Sequence, residues 1–147
     1  MSHKILIEQG YISTDHENVD DEGVYKKVFI FDVKMPMFIA TQFTNLKHYE
    51  PTREFVNPQN KKAFLSILDA LETYRLMKLQ GVVDRTARMV VPPATYIKFT
   101  LRMSLSEIKA LYKKVNPDTC EYIKVLNNIA IENAPYMCQL LKIYPIE

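Results

Sequence analysis

Cysteine is scarce in this chain of 147 residues: Cys120 and Cys138 are the only two, and they form no CxxC pair. That spacing argues against zinc and leaves two free, buried thiols as the plain expectation. Histidine is almost as rare. His3, His16 and His48 show no ligand spacing, so no metal centre is expected. Only three glycines occur, at positions 10, 23 and 81, which excludes an ordinary P-loop or Rossmann phosphate cradle. No Ser-His-Asp or Cys-His arrangement has a recognisable spacing. No apolar run approaches the roughly 20 residues that span a bilayer, and Met1-Ser2-His3-Lys4 lacks the apolar core of a secretory signal. Nor is there a basic stripe with interleaved aromatics of the kind that grips nucleic acid. The expectation is a cytoplasmic protein with neither membrane nor nucleic acid as partner.

What is present suits one domain over residues 1–147. Hydrophobic residues make up 48% and charged residues 24%, ordinary values for a globular chain. The net charge of +2 conceals an asymmetry. Asp15, Glu17, Asp20, Asp21 and Glu22 place five negative charges in one short segment, most simply a solvated loop. The rest of the chain carries +7, five more than the whole, which is compatible with a phosphate-bearing ligand.

Periodicity predicts an α+β fold, a small sheet packed with helices, in the order β, β, α, α, α, β, α, α. Residues 4–8 read as a strand and residues 10–23 as a polar loop. Residues 24–33 read as a strand, central in its sheet because Val28-Phe29-Ile30-Phe31 is apolar on both faces. Pro36 fits the first turn of a helix running to Phe43. Pro51 and Pro58 bracket a loop. Residues 60–80 are the clearest helix: Phe64, Ile67, Leu68, Leu71 and Tyr74 recur at steps of three and four, and Gly81 stops it. Asp84 is placed to cap a short helix holding Arg88, braked by Pro92-Pro93. Residues 94–103 alternate, with Ile97, Phe99, Leu101 and Met103 on one face and Lys98, Thr100 and Arg102 on the other. Ser104-Leu105-Ser106-Glu107 is a capping box. Asp118 and Glu121 are placed to cap a last helix that Pro135 ends or kinks.

Two constellations could carry chemistry. The first is the segment Gln42 to Arg53, at a helix end and in the loop after it. Gln42, Asn45, Lys47, His48 and Arg53 offer donors suited to a phosphate or a pyrimidine edge, or else form a solvated helix end. The second is Arg88 with Lys98 and Arg102. Arg88 lies in an otherwise apolar run and needs either a carboxylate partner or a bound anion.

Gly81-Val82-Val83-Asp84-Arg85-Thr86-Ala87-Arg88-Met89-Val90-Val91-Pro92 resembles a block of the flavin-dependent thymidylate synthases: glycine, acidic residue, Ala-Arg, an apolar pair and proline. The strand Phe29 to Pro36 leading to Gln42, the aromatic Tyr74 and Thr100 are similar to other family positions. The likeness covers roughly residues 24–135. Where the family carries Arg-His-Arg, this chain has Asn45-Leu46-Lys47, so Lys47 keeps the charge without the bidentate fork. The resemblance implies a mainly antiparallel sheet packed with helices. It implies that Gln42, Arg88, Thr52, Arg53 and Lys113 contact a pyrimidine deoxynucleotide, dUMP or a relative. It implies that Asn45, Lys47, His48, Arg102 and Ser104 lie by the FAD cofactor. The activity implied is one-carbon transfer from methylenetetrahydrofolate to C5 of the base, with NADPH as a further co-substrate, in a homotetramer. The alternative is a non-catalytic nucleotide-binding or assembly homologue that has lost flavin chemistry.

Overall fold

The computed structural model describes residues 3–7, 10–19 and 27–146. Asp20, Asp21, Glu22 and the start of the strand expected at Val24 lie outside the described residues. Five strands, β1 (His3–Ile7), β2 (Gly10–Val19), β3 (Lys27–Pro36), β4 (Glu50–Phe55) and β5 (Thr95–Ser104), form one sheet in the order β1-β2-β3-β5-β4. Every pair is antiparallel. The fold is thus a small α+β domain with an antiparallel sheet. β3 is central, as its apolar run predicts, and pairs along its length with β5, Phe31 opposite Leu101 and Val33 opposite Phe99.

Alternation divides the sheet. Phe29, Phe31, Val33 and Met35 of β3, with Ile97, Phe99, Leu101 and Met103 of β5 and Ile12 of β2, point to one side and are buried. Lys98, Thr100 and Arg102 point to the other and are exposed. Helices cover the apolar side. The short α1 (Met37–Ala40) lies against β3 and β5, α4 (Leu105–Ala110) also reaches both, and α5 (Cys120–Asn133) packs on β1 and β2. α5 contributes Ile123, Leu126, Ile129 and Ala130, all fully buried.

Two expected loops are strands. Residues 10–19 pair with β1 and β3, and their polar composition hides a core face at Ile12 and Thr14. Gly10 is required there, because a Cβ would lie 2.6 Å from the carbonyl oxygen of Lys34 and 2.9 Å from the Tyr122 hydroxyl. Residues 50–55 form the sheet edge, where a proline is tolerated. Pro36 ends β3 and precedes α1, one residue before the position expected for it.

Local stop and start signals hold in part: Asp84, expected as a cap, is the first residue of the short helix Asp84–Ala87, whose N-cap Val83 makes no side-chain bond. Asn60 caps α2 (Lys61–Leu79) by accepting from the Ala63 N–H. Gly81, at φ +81°, ends it in a Schellman turn: Val82 N–H donates to Met77 O and Gly81 N–H to Lys78 O. Ser104 and Glu107 form the full capping box of α4. At α5 the expected caps Asp118 and Glu121 are replaced by Thr119 at the N-cap. Asn116 Oδ1 accepts from the Asp118 and Thr119 N–H groups instead. Pro135 kinks the chain and opens α6 (Pro135–Leu140).

Candidate functional site

β4 leaves the ladder after Pro51 and rejoins it at Phe55, spending two more residues than β5 does over the same stretch. Thr52 organises this bulge. Its hydroxyl donates to Tyr96 O at 2.7 Å and accepts from the Glu54 N–H at 3.1 Å. Such bulges re-aim side chains. Here Arg53 lines a cleft while Glu54 pairs with Lys34 at 2.7 Å.

The other wall of that cleft is α2. It is tied to the body near both ends. Phe64 packs on Phe55 at 5.0 Å between ring centroids. At the other end, Tyr74 and Lys78 reach Asp84 at the start of α3 (Asp84–Ala87), at 3.4 and 3.0 Å. Between the ties lies a space of about 480 Å³, bounded by Pro51, Thr52 and Arg53 on one side and by Leu68, Leu71, Tyr74 and Arg75 on the other. Leucines and Tyr74 line it, and its charged residues are of both signs: Arg53, Arg75 and Lys78 with Glu50 and Glu72.

A second, more open cleft of about 250 Å³ is lined by Leu46, Tyr49, Arg85, Arg88 and Met89, and Asp84 bonds to residues of both clefts. One Asp84 oxygen takes Tyr74 and Lys78; the other takes Arg88 Nε at 3.0 Å. The Lys78 hydrogen bond, with the charges of Lys78 and Arg88, holds the Asp84 carboxyl below its ordinary range. Burial, then the Asp84 charge, pushes the Tyr74 phenol up. Arg88 also donates to Lys47 O at 3.4 Å and lies 4.7 Å above the Tyr49 ring, a cation–π distance. Of the two partners open to Arg88, the carboxylate is present. It belongs to its own helical turn and is 46% exposed, so this is a surface pair and not a buried core pair. A guanidinium carries five N–H donors, and these contacts engage two of its nitrogens.

The two constellations therefore meet in part. Lys47 and Tyr49 touch Arg88, while Thr52 and Arg53 line the neighbouring cleft. Asn45 and His48 are exposed on the same loop. Gln42 stands apart, its side-chain oxygen accepting from Asn116 Nδ2 at 2.7 Å. Lys113 lies in the 3-10 turn Leu111–Lys114, exposed. Arg102 is exposed on β5 opposite Ile30, four residues beyond the Lys98 that pairs with β4, or about 13 Å along the strand. Ser104 spends its hydroxyl on the cap of α4. Sequence reasoning passed over Asp84 as the hub and Arg85 as a wall. The spacing of Asp84 and Arg88, one turn apart, was the available signal.

No protein-family model matches this chain, and no curated protein does. Among the described residues no group of three or more His, Cys, Asp or Glu could hold a metal, and no helix is long and apolar enough to cross a membrane.

Proposed function

We propose that this chain is a divergent flavin-dependent thymidylate synthase-like protein that binds a pyrimidine deoxynucleotide, dUMP or a related one. The observation that carries this reading is the convergence of the Lys47–Arg53 segment with the turn holding Arg85 and Arg88 around two adjoining clefts. The leucine wall beside Tyr74 suits a planar base, and guanidinium donors at Arg53, Arg85 and Arg88 suit a phosphate. Asp84 joins Tyr74 and Lys78 of the first cleft to Arg88 of the second.

On the resemblance, the reaction served is transfer of one carbon from methylenetetrahydrofolate to C5 of the base. FAD, when bound, would supply the hydride chemistry, with NADPH as the source of electrons. Within one protomer the residues assigned to FAD do not fit it as a group. Arg102 lies far along β5 from the loop bearing Asn45, Lys47 and His48, and Ser104 is committed to a helix cap. A tetramer with shared sites, which the resemblance implies, would have to bring these residues together from different subunits. What the chain itself supplies is binding and orientation: Arg53, Arg85 and Arg88 hold the anion, and the leucines of α2 shield the base from water.

A second reading, nucleotide binding without catalysis, is favoured by Ser104 being committed to a helix cap and Arg102 lying far along β5 from the Asn45–His48 loop. Absorption of the purified protein separates the two. A flavin band, or a rise in melting temperature on adding FAD, supports the enzyme. A colourless protein whose melting temperature FAD leaves unchanged, but dUMP raises, supports the binding protein.

A further inference from the structure

A free carboxylate stands in a site suited to an anion. Glu50, Arg53, Glu72, Arg75 and Lys78 are the charged residues lining the β4–α2 cleft. Glu72 is held by Arg75 at 2.6 Å, and Lys78 by Asp84 at 3.0 Å. Arg53 serves the phosphate. Glu50 remains, and among the described residues its carboxylate has no hydrogen bond or ion pair. Lys98 stands directly across the ladder from it on β5, yet the two side chains do not pair.

The bulge brings this acid together with Arg53. In a regular strand, side chains three residues apart leave opposite faces of the sheet. β4 spends extra residues between Pro51 and Phe55, held by the Thr52 hydroxyl, and both Glu50 and Arg53 line the one cleft. Glu50 also acts across that space. The Tyr74 phenol, raised first by burial and then by Asp84, is raised further by the charge of Glu50. The unengaged carboxylate and the ring beside which a base fits therefore face the same space.

An ionised carboxylate only accepts hydrogen bonds, and it repels a phosphate. Its partner on a nucleotide must be a donor. Cytosine carries one at the outer edge of its ring, the N4–H2 group, and carboxylates are the acceptors that pair with it in base recognition. Uracil has the acceptor O4 at that position. Its N3–H lies between two acceptors, O4 and O2, which repel the second carboxylate oxygen. A carboxylate aimed at the base thus favours cytosine and leaves uracil with unpaired polar groups.

We propose that Glu50 reads the base, and that the preferred ligand is a cytosine deoxynucleotide whose N4–H2 group donates to the Glu50 carboxylate. The inference rests on the reading of the site as one for a pyrimidine deoxynucleotide and narrows it. A uracil nucleotide keeps the phosphate contacts and binds more weakly.

The test titrates the full-length protein with dCMP and with dUMP by calorimetry, with circular dichroism confirming the fold of each variant. The wild type should bind dCMP about tenfold or more tightly than dUMP. Glu50→Gln, whose amide also donates, should bring the two affinities together, and so should Glu50→Ala. Arg88→Ala, which removes a phosphate donor, should weaken both nucleotides alike. A wild type that binds the two equally, or that prefers dUMP, would overturn the proposal and leave the nucleotide site standing. A preference for dCMP that both Glu50 variants keep would do the same. Binding of neither nucleotide would remove the nucleotide reading and the base assignment together.

Discussion

Asp84 and Arg88 stand one helical turn apart, joined Oδ2 to Nε at 3.0 Å, while the other oxygen of Asp84 receives Lys78 and Tyr74 from the end of α2. One carboxylate thus ties the long helix to the turn that carries the candidate anion site. The relationship couples the cleft wall to the guanidinium.

That coupling has a pH dependence. The carboxyl of Asp84 is held low by Lys78, and that of Glu72 by its hydrogen bonds with Arg75. A carboxyl depressed by folding contributes stability that is present above its unfolded value, near 4, and lost as pH falls through the lower folded one. Both groups are well exposed, so the effect is small. Urea midpoints between pH 6 and pH 2 should fall for the wild type, and the Asp84→Asn variant should show a shallower fall.

Removing the capping hydroxyl by Ser104→Ala should cost about 1 kcal/mol of stability, because the first turn of α4 then leaves an N–H without its partner. Nucleotide binding should be unchanged. Loss of binding with the fold intact would instead place Ser104 at the ligand.

Gly81→Ala tests backbone strain alone. A Cβ there meets nothing within 4 Å, yet φ is +81°. The expected loss is about 1 kcal/mol, read as a lower denaturant midpoint with an unchanged slope.

Asn127 is fully buried on α5, and among the described residues neither its amide nitrogen nor its oxygen has a hydrogen-bond partner. Replacing it with Leu removes an unsatisfied group at similar volume and should stabilise the chain by about 1–2 kcal/mol. A lower melting temperature for Asn127→Leu would contradict this.

The parts of the fold legible in the sequence are those decided within a few residues. Gly81, Asn60 and the Ser104–Glu107 box act on their own helix ends, and the alternation of β5 follows from a single strand. β2 and β4 were hidden because their pairing partners are distant. Gly10 and a run of acids disguise the first; Pro51 and the Thr52 bulge disguise the second. The caps expected at Asp118 and Glu121 failed because the helix starts one residue later: Asn116 Oδ1 accepts from the Asp118 and Thr119 N–H groups, and Asn116 O from Cys120 N–H. At the site, the need of Arg88 for a partner was legible; its meeting with Lys47 and Tyr49 was not, because the sequence pattern groups Arg88 with Lys98 and Arg102. The division of Asp84 between two helices was not, because Lys78 meets it only after Gly81 reverses the chain. Leu68 belongs to the periodic face read in the sequence, yet it is 43% exposed at the cleft.

Calorimetric titration of the full-length protein with dUMP tests the central claim most directly. The account predicts saturable binding to the wild type and a loss of about 10- to 100-fold for Arg88→Ala, the equivalent of one charge-assisted hydrogen bond, in a variant that remains folded. Absence of any binding heat or thermal stabilisation in the wild type, or undiminished affinity in Arg88→Ala, would contradict it.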